Sequence, residues 1–294
     1  MQQTKESIEG FNNVSAPFSQ DNIKMIPGLL NGKVALITGS SDGIGKSIAE
    51  TFVQHGAKVV INGRKPDPCH NLANKINNEC TEGVEALACP CDVMDQKAVQ
   101  AMVNKTIDSF GKIDILVNNA GTSRDALIHK MDDKLLRFII DLAIKGTYNT
   151  TKAIIPHFLD ETKHSKDAFK KIINFSSTTG VSGNVGQSNY ALAKGGVIGY
   201  SKACARELCL ERINVNCVAP GFTHTRMTQL KTNPDDEVGV PEGVLNLAIA
   251  ATPFVRHGRA GEPYHNAWVV LFLASYLSDW VTGQVITIDG GLYI

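Results

Sequence analysis

The sequence predicts a doubly wound α/β fold, a parallel sheet with helices on both faces. Three observations predict it. Short apolar runs alternate with helix-like segments along most of the chain. The first run leads at once into a glycine-rich turn, Gly39-Ser40-Ser41-Asp42-Gly43-Ile44-Gly45. No internal repeat or low-complexity tract breaks the order. Strands joined through helices pair in parallel, and right-handed crossovers then cover both faces of the sheet.

Residues 1–27 are polar and aperiodic, which predicts a flexible tail or arm. Pro27-Gly28 punctuates, and a single domain is expected over 28–294. Val34–Thr38 is apolar and β-rich. Ile44–His55 has helical spacing and stops before Gly56. Lys58–Ile61 is the next strand, and Asp67–Cys80 the next helix. Val84–Cys89, Ile113–Val117, Lys171–Phe175, Ile213–Val218 and Val285–Ile288 complete the expected strands. Residues 222–260 break the rhythm, with Pro234, Pro241 and Pro253 among polar residues. A segment that long after a strand end predicts a substrate lid.

The whole-chain properties exclude several classes. With 294 residues, 43% of them hydrophobic, the chain can bury a sizeable core. A formal net charge of zero argues against a nucleic-acid binder. No apolar run approaches the about 18 residues of a membrane span. The N-terminus shows neither a secretory nor a transit pattern. Seven cysteines, an odd number, do not suggest a disulfide framework, so a reducing cytoplasm is expected. Cys69-His70, Cys80, Cys89 and Cys91 fall close together in sequence, but their spacing matches no zinc pattern, and no metal is expected.

The glycine turn predicts a phosphate-bearing cofactor. Gly39, Gly43 and Gly45 allow close backbone approach, and the helix opening at Ile44 offers unpaired N–H groups, with Ser41 in the same turn. The second strand ends Asn62-Gly63-Arg64-Lys65, without the acid that a ribose 2′-OH would want. Arg64 and Lys65 suit a 2′-phosphate instead, so NADPH/NADP+ is expected ahead of NADH, although Asp42 opposes an extra phosphate.

The stretch Tyr190-Ala-Leu-Ala-Lys194 follows Ser177 by thirteen residues, and Ser177 ends an apolar run. On a helix, Tyr190 and Lys194 share one face. A neighbouring ammonium is expected to lower the Tyr190 pKa, so that the phenol can protonate a carbonyl oxygen as hydride reaches the carbon. Ser177 is placed to hydrogen-bond that oxygen. These three are the candidate catalytic residues. His55, His157, His224 and His257 show no metal or triad spacing.

Over residues 30–294 the chain resembles the short-chain dehydrogenase/reductase family, whose fold is Rossmann-type. The motifs that carry the likeness are Thr38-Gly39-x-x-x-Gly43-Ile44-Gly45, Asn118-Asn119-Ala120-Gly121, Ser177, Tyr190-x-x-x-Lys194, Pro220-Gly221 and Thr282-Gly283-Gln284…Asp289-Gly290-Gly291. The resemblance implies cofactor contacts at Asp92 and Val93 on the adenine side and at Asn118, Ala120 and Gly121. It also implies contacts at Pro220, Gly221, Thr223 and Thr225 around the carboxamide, with Lys194 also holding the nicotinamide ribose. Within the family, Gly121–Leu127, Gly183–Tyr190 and Ala219–Phe222 are similar to 3-oxoacyl-acyl-carrier-protein reductases. That likeness implies a cytoplasmic homotetramer of fatty acid biosynthesis, built on helices around 131–160 and 188–211. Its substrate would be a 3-oxoacyl thioester on acyl carrier protein or coenzyme A.

Three departures qualify the likeness. Where the family shows Asn-x-x-Gly before Ser177, this chain reads Ala143-Ile144-Lys145-Gly146. That Asn holds a water in a proton-refill path, so slowed or pH-shifted turnover is expected, unless backbone carbonyls at a helix irregularity hold the water. Asn149 would face elsewhere. The helix of Tyr190 ends Leu210-Glu211-Arg212, with an acid where a carrier protein would want cations. Lys163, Lys166, Lys170 and Lys171 are candidates to compensate. The 222–260 lid is long. Alternatives are an alcohol, sugar or steroid dehydrogenase working oxidatively, or an impaired nucleotide-binding scaffold.

Overall fold

The computed structural model describes residues 27–80, 83–160, 169–231, 233, 239–256 and 261–293. The expected tail therefore lies almost wholly outside the described residues, and the expected lid is described in part. Among the described residues the strands are β1 (Val34–Ile37), β2 (Lys58–Ile61), β3 (Ala86–Ala88), β4 (Ile115–Asn118), β5 (Lys170–Phe175), β6 (Ile213–Pro220) and β7 (Val285–Ile288). They form one sheet in the order β3-β2-β1-β4-β5-β6-β7. Every pairing is parallel; Ala35 registers with Val59 on one side and Ile115 on the other. The doubly wound expectation holds.

The apolar runs explain the sheet. β1, β4, β5 and β6 are buried along their whole length, as a parallel sheet covered on both faces requires. Side chains alternate between two layers. Ala35, Ile37, Val59 and Ile61 join one core with Ile48 and Phe52 of α1 (Gly43–Gln54). Leu36, Val60 and Leu116 join the other with Val99 and Val103 of α3 (Gln96–Phe110). Between them in sequence, α2 (Pro66–Glu79) packs Leu72 and Ile76 on the first layer.

Two of the differences from expectation have local reasons. β3 spans only Ala86–Ala88, because Asn77 of α2 binds both backbone groups of Ala86 (2.7 and 3.0 Å) on the sheet's open edge. The long helix before β5 is not regular. It runs as α4 (Asp133–Ile140), a π turn over Asp141–Lys145 and α5 (Gly146–Leu159), with the Gly146 N–H bonded to the Asp141 carbonyl. Further on come α6 (Thr178–Ser182), α7 (Ser188–Leu208), α8 (Glu242–Ala251), α9 (Pro253–Arg256) and α10 (Pro263–Ala274).

The sheet order reverses between β1 and β4, so their carboxyl ends open a crevice there. No helix among the described residues is long and apolar enough to cross a membrane.

Candidate active site

The crevice floor is built by side chains that tie the two strand ends together. Thr38 Oγ1 accepts from the N–H groups of Asn119 and Ala120 at 3.0 and 3.1 Å. Asn119 Nδ2 donates to the Thr38 and Gly39 carbonyls. The glycines answer to this close approach. A Cβ on Gly39, whose φ is +63°, would stand 2.8 Å from Ala120 Cα, and one on Gly45 would collide with the Gly39 carbonyl. Gly43 differs: a Cβ there would meet only the Thr225 methyl, at 3.8 Å. Gly39 and Gly45 thus shape the turn, while Gly43 keeps the start of α1 open toward Thr225. That bare helix start, with Ile44 behind it, fits a dinucleotide's phosphates.

The remaining nucleotide-side residues ring the same crevice. Ser41 lies against Gly63, where a Cβ would come 2.6 Å from its Oγ; Arg64 follows, exposed at the end of β2. Asn62 is buried; it accepts the Gly39 N–H and donates to the Cys89 carbonyl and the Cys91 Sγ. Asp92 Oδ1 accepts the Met94 N–H. Val93 is buried, and its carbonyl takes Asn149 Nδ2 at 3.0 Å. Asn149 therefore does face away from the catalytic residues. Asn118 is consumed by the fold, donating to Thr151 and Asn174 and accepting from Thr150. Its side chain holds β4 to α5 and β5, which leaves Ala120 and Gly121 to face the crevice.

The catalytic candidates come together at the carboxyl ends of β5 and β6. Ser177 caps α6, accepting the Thr179 N–H at 3.2 Å and reaching the Pro220 carbonyl at 3.5 Å. Lys194 is buried, and its Nζ donates to the Phe175 carbonyl at 2.7 Å. A Cβ on Gly121 would stand 3.4 Å from that Nζ, so Gly121 gives the lysine its passage. Tyr190 lies one turn earlier on α7, with Nζ 5.7 Å from its ring centroid.

The electrostatics correct one expectation. Burial pushes the Tyr190 phenol up to about 12, with the Ser177 hydroxyl pulling the other way. The Lys194 ammonium, bonded to Phe175 and 5.7 Å from the tyrosine ring centroid, does not offset that burial. Burial in turn brings Lys194 down to about 8. Tyr190 therefore stays protonated at neutral pH, which suits a group that must donate a proton to a nascent alkoxide.

One further expectation is corrected. Lys170 and Lys171 are buried at the amino ends of the strands, opposite the site. Lys170 Nζ bonds Asp114 at 2.8 Å, and Lys171 Nζ bonds Asp279 at 2.7 Å and Asn214 at 2.9 Å. Neither can receive a carrier protein; Lys163 and Lys166 lie outside the described residues. Cys69, Cys89, Cys204 and Cys217 are buried as small apolar residues. All seven are unpaired, and burial raises the thiols of Cys69, Cys89 and Cys91.

Some positioning residues went unread in the sequence. Ser176 Oγ donates to the Lys194 carbonyl at 2.9 Å, and Gly180 lets α7 approach so closely that a Cβ would stand 2.7 Å from the Lys194 carbonyl carbon. Asn189 binds the Arg124 carbonyl and accepts the Tyr190 N–H, docking the 121–127 segment beside the tyrosine. The only sequence signal was the run of small residues after β5.

Comparison with known proteins agrees with this architecture. The family model for short chain dehydrogenases matches residues 33–236. The chain is 40% identical to the 3-oxoacyl-[acyl-carrier-protein] reductase FabG of Thermotoga maritima over 267 residues, 90% of this chain and 99% of that one. It is 35% identical to the enzyme of the same name from Salmonella typhimurium over 263 residues (90% and 98%). An uncharacterized oxidoreductase of Mycobacterium bovis is 36% identical over 266 residues (90% and 99%). With most of its length matched and a crevice that joins the glycine turn to Ser177, Tyr190 and Lys194, the chain belongs to the short chain dehydrogenase family.

Proposed function

We propose that this protein is an NADPH-dependent reductase of a 3-oxoacyl thioester carried on acyl carrier protein or coenzyme A. The observation that carries the reading is the convergence of Ser177, Tyr190 and Lys194 beside the Gly39–Gly45 turn, in a chain whose relatives of 35–40% identity bear the name of that reductase. When bound beside the Gly39–Gly45 turn, the cofactor would supply hydride for the carbonyl carbon. Ser177 orients the carbonyl oxygen, Tyr190 gives its phenolic proton to that oxygen, and Lys194 binds the nicotinamide ribose and favours the tyrosinate left behind. One C=O thus gains a hydride and a proton and becomes a secondary alcohol.

Arg64 and Lys65, with no acid beside them, support NADP(H) over NAD(H). Arg64→Asp should shift preference toward NAD+; a wild type that already prefers NAD+ widely would defeat the assignment. Apolar positions such as Tyr148, Leu159 and Leu192, exposed on α5 and α7, support a homotetramer through those helices. The cysteine usage supports a cytoplasmic protein.

The deciding experiment is NADPH oxidation with acetoacetyl-CoA, wild type against Tyr190→Phe. A rate that falls at least about 100-fold in the variant supports the reading. No turnover by a wild type that still binds NADPH would move the assignment to another alcohol or ketone, or to a non-catalytic scaffold. Ala143 favours that last reading, whereas the π turn around it favours a proton path through backbone carbonyls.

A further inference from the structure

Asp42 makes two contacts at once. Its Oδ1 accepts the Gly43 N–H at 2.8 Å as the cap of α1, and its Oδ2 takes Arg226 Nε at 3.3 Å. Arg226 comes from the segment after β6, directly after Thr225, whose methyl faces Gly43. A braced turn fixes where it starts: the Thr225 N–H donates to Thr228 Oγ1 at 3.0 Å, and the Thr228 N–H to the Thr225 carbonyl at 3.0 Å. One carboxylate therefore ties the first residues of the lid segment to the mouth of the phosphate crevice.

This pair makes poor sense as a stability device. Both side chains are more than 60% exposed, and exposed ion pairs contribute little. Its chemistry points elsewhere. The amino end of α1 favours an anion, and Asp42 already supplies one. A dinucleotide phosphate brought to the same place would face like-charge repulsion from Asp42, unless a cation stood between them. Arg226 stands there, and its fork can bind Asp42 and a phosphate oxygen together.

On the reading that this site takes a nicotinamide dinucleotide, we propose that Arg226 is a phosphate-binding residue of this chain, held ready by Asp42. Asp42, which by charge alone opposes a phosphate, becomes tolerable through its partner.

The test is calorimetric titration of the full-length protein with NADP+ and with NAD+, in wild type, Arg226→Ala, Arg226→Lys and Asp42→Asn, with thermal melts alongside. Arg226→Ala should weaken binding about tenfold, the worth of one charged hydrogen bond. Arg226→Lys, which keeps the charge without the fork, should recover part of it, and Asp42→Asn, which removes the brace but leaves Arg226 charged, should cost less than Arg226→Ala; melts should stay as in wild type. An equal loss for both dinucleotides assigns the contact to the diphosphate, and a loss for NADP+ alone assigns it to the 2′-phosphate. Unchanged binding in Arg226→Ala overturns the proposal, as does a loss that Arg226→Lys fails to recover. A wild type that binds neither dinucleotide overturns this inference together with the proposed function. One that binds them but reduces no 3-oxoacyl thioester overturns the substrate assignment alone.

Discussion

Lys194 Nζ hangs from the Phe175 carbonyl at 2.7 Å, so the buried ammonium is fixed to the end of the strand that delivers Ser177 two residues later. Strand β5 thereby sets both the cation and the hydroxyl of the proposed site. This arrangement should be costly to stability and necessary for turnover. Lys194 has a folded pKa of about 8 against an ordinary 10.5. Below about pH 8 the folded and unfolded states both hold the proton, and the burial penalty is present in full. Between about 8 and 10.5 the unfolded state holds more protons, so this group's contribution to stability rises with pH. Lys194→Met should therefore melt several degrees above wild type at pH 7, a gain on the order of 3 kcal/mol at most, with the gap closing toward pH 10. Activity should be lost. A lower melting temperature at pH 7 would mean that the Phe175 bond outweighs the burial.

The same titration should appear in the kinetics. On the proposed mechanism Tyr190 gives up its proton during reduction, and a charged Lys194 stabilises the tyrosinate that remains. The reductive kcat should fall as pH rises through about 8, while Tyr190, pushed up to about 12, should not titrate in that range. A reductive rate that is flat from pH 7 to 9 would remove Lys194 from this role.

Gly180 should act on turnover through packing alone. A Cβ there would stand 2.7 Å from both the Lys194 carbonyl carbon and Ser176 Oγ, neither of which is a free side-chain end. Gly180→Ala should push α7 away from α6 and separate Tyr190 from Ser177. The expected cost is about 1–3 kcal/mol in chemical denaturation, with kcat down by more than about tenfold and dinucleotide affinity unchanged. Unimpaired kcat would show that the helix can shift without moving the tyrosine.

The contrast between Gly180 and the strands shows what the sequence could carry. β1, β4, β5 and β6 were legible because a doubly covered parallel strand is apolar throughout, a local property. The glycine turn and Tyr190-x-x-x-Lys194 were legible because their spacing is itself the signal. Lys170 and Lys171 stood as candidate cations for a carrier protein, since charge in sequence says nothing of Asp114, 56 positions away, or Asp279, 108 positions away. The Tyr190 titration failed for a related reason. A helical pattern places Lys194 on the same face, but only the fold decides that Nζ turns to Phe175 and that burial dominates. Ser176 and Gly180 carried no pattern of their own; their role exists only once α7 lies against β5.

Asp114 should matter to stability and not to catalysis. It accepts from Lys170 at 2.8 Å, Lys112 at 3.0 Å and the Val34 N–H at 3.0 Å, at the end of the sheet away from the site. Burial raises its carboxyl, but the two lysines outweigh that and hold it below the usual range. The stability it contributes is present above its unfolded pKa and is lost as pH falls through the folded one, below about pH 4. Asp114→Asn leaves Lys170 buried and unpaired in charge, so a loss of about 3–5 kcal/mol is expected in urea at pH 7, with KM unchanged. The variant should also lose less on acidification than wild type. An unaltered urea midpoint would contradict the account.

Ala143 offers the sharpest test of how protons return to Lys194. It is buried beside Ala193, Val197 and Cys217, with Tyr190 at the edge of the same cluster, so its methyl leaves nothing polar facing the lysine's helix. The π turn over Asp141–Lys145 shifts the hydrogen-bond ladder around it, as Gly146 bonds to Asp141 rather than to Leu142. If backbone carbonyls in that turn hold the relay water alone, the water has fewer fixed partners than an amide would give it, and refilling should limit the rate. Ala143→Asn should then raise kcat severalfold with KM little changed, and should shrink the solvent deuterium effect on kcat. A denaturation midpoint measured alongside separates this from overpacking, which would lower stability and rate together. An unchanged rate and isotope effect in a stable variant would mean that proton return does not pass this position, and the alanine would cease to bear on catalysis.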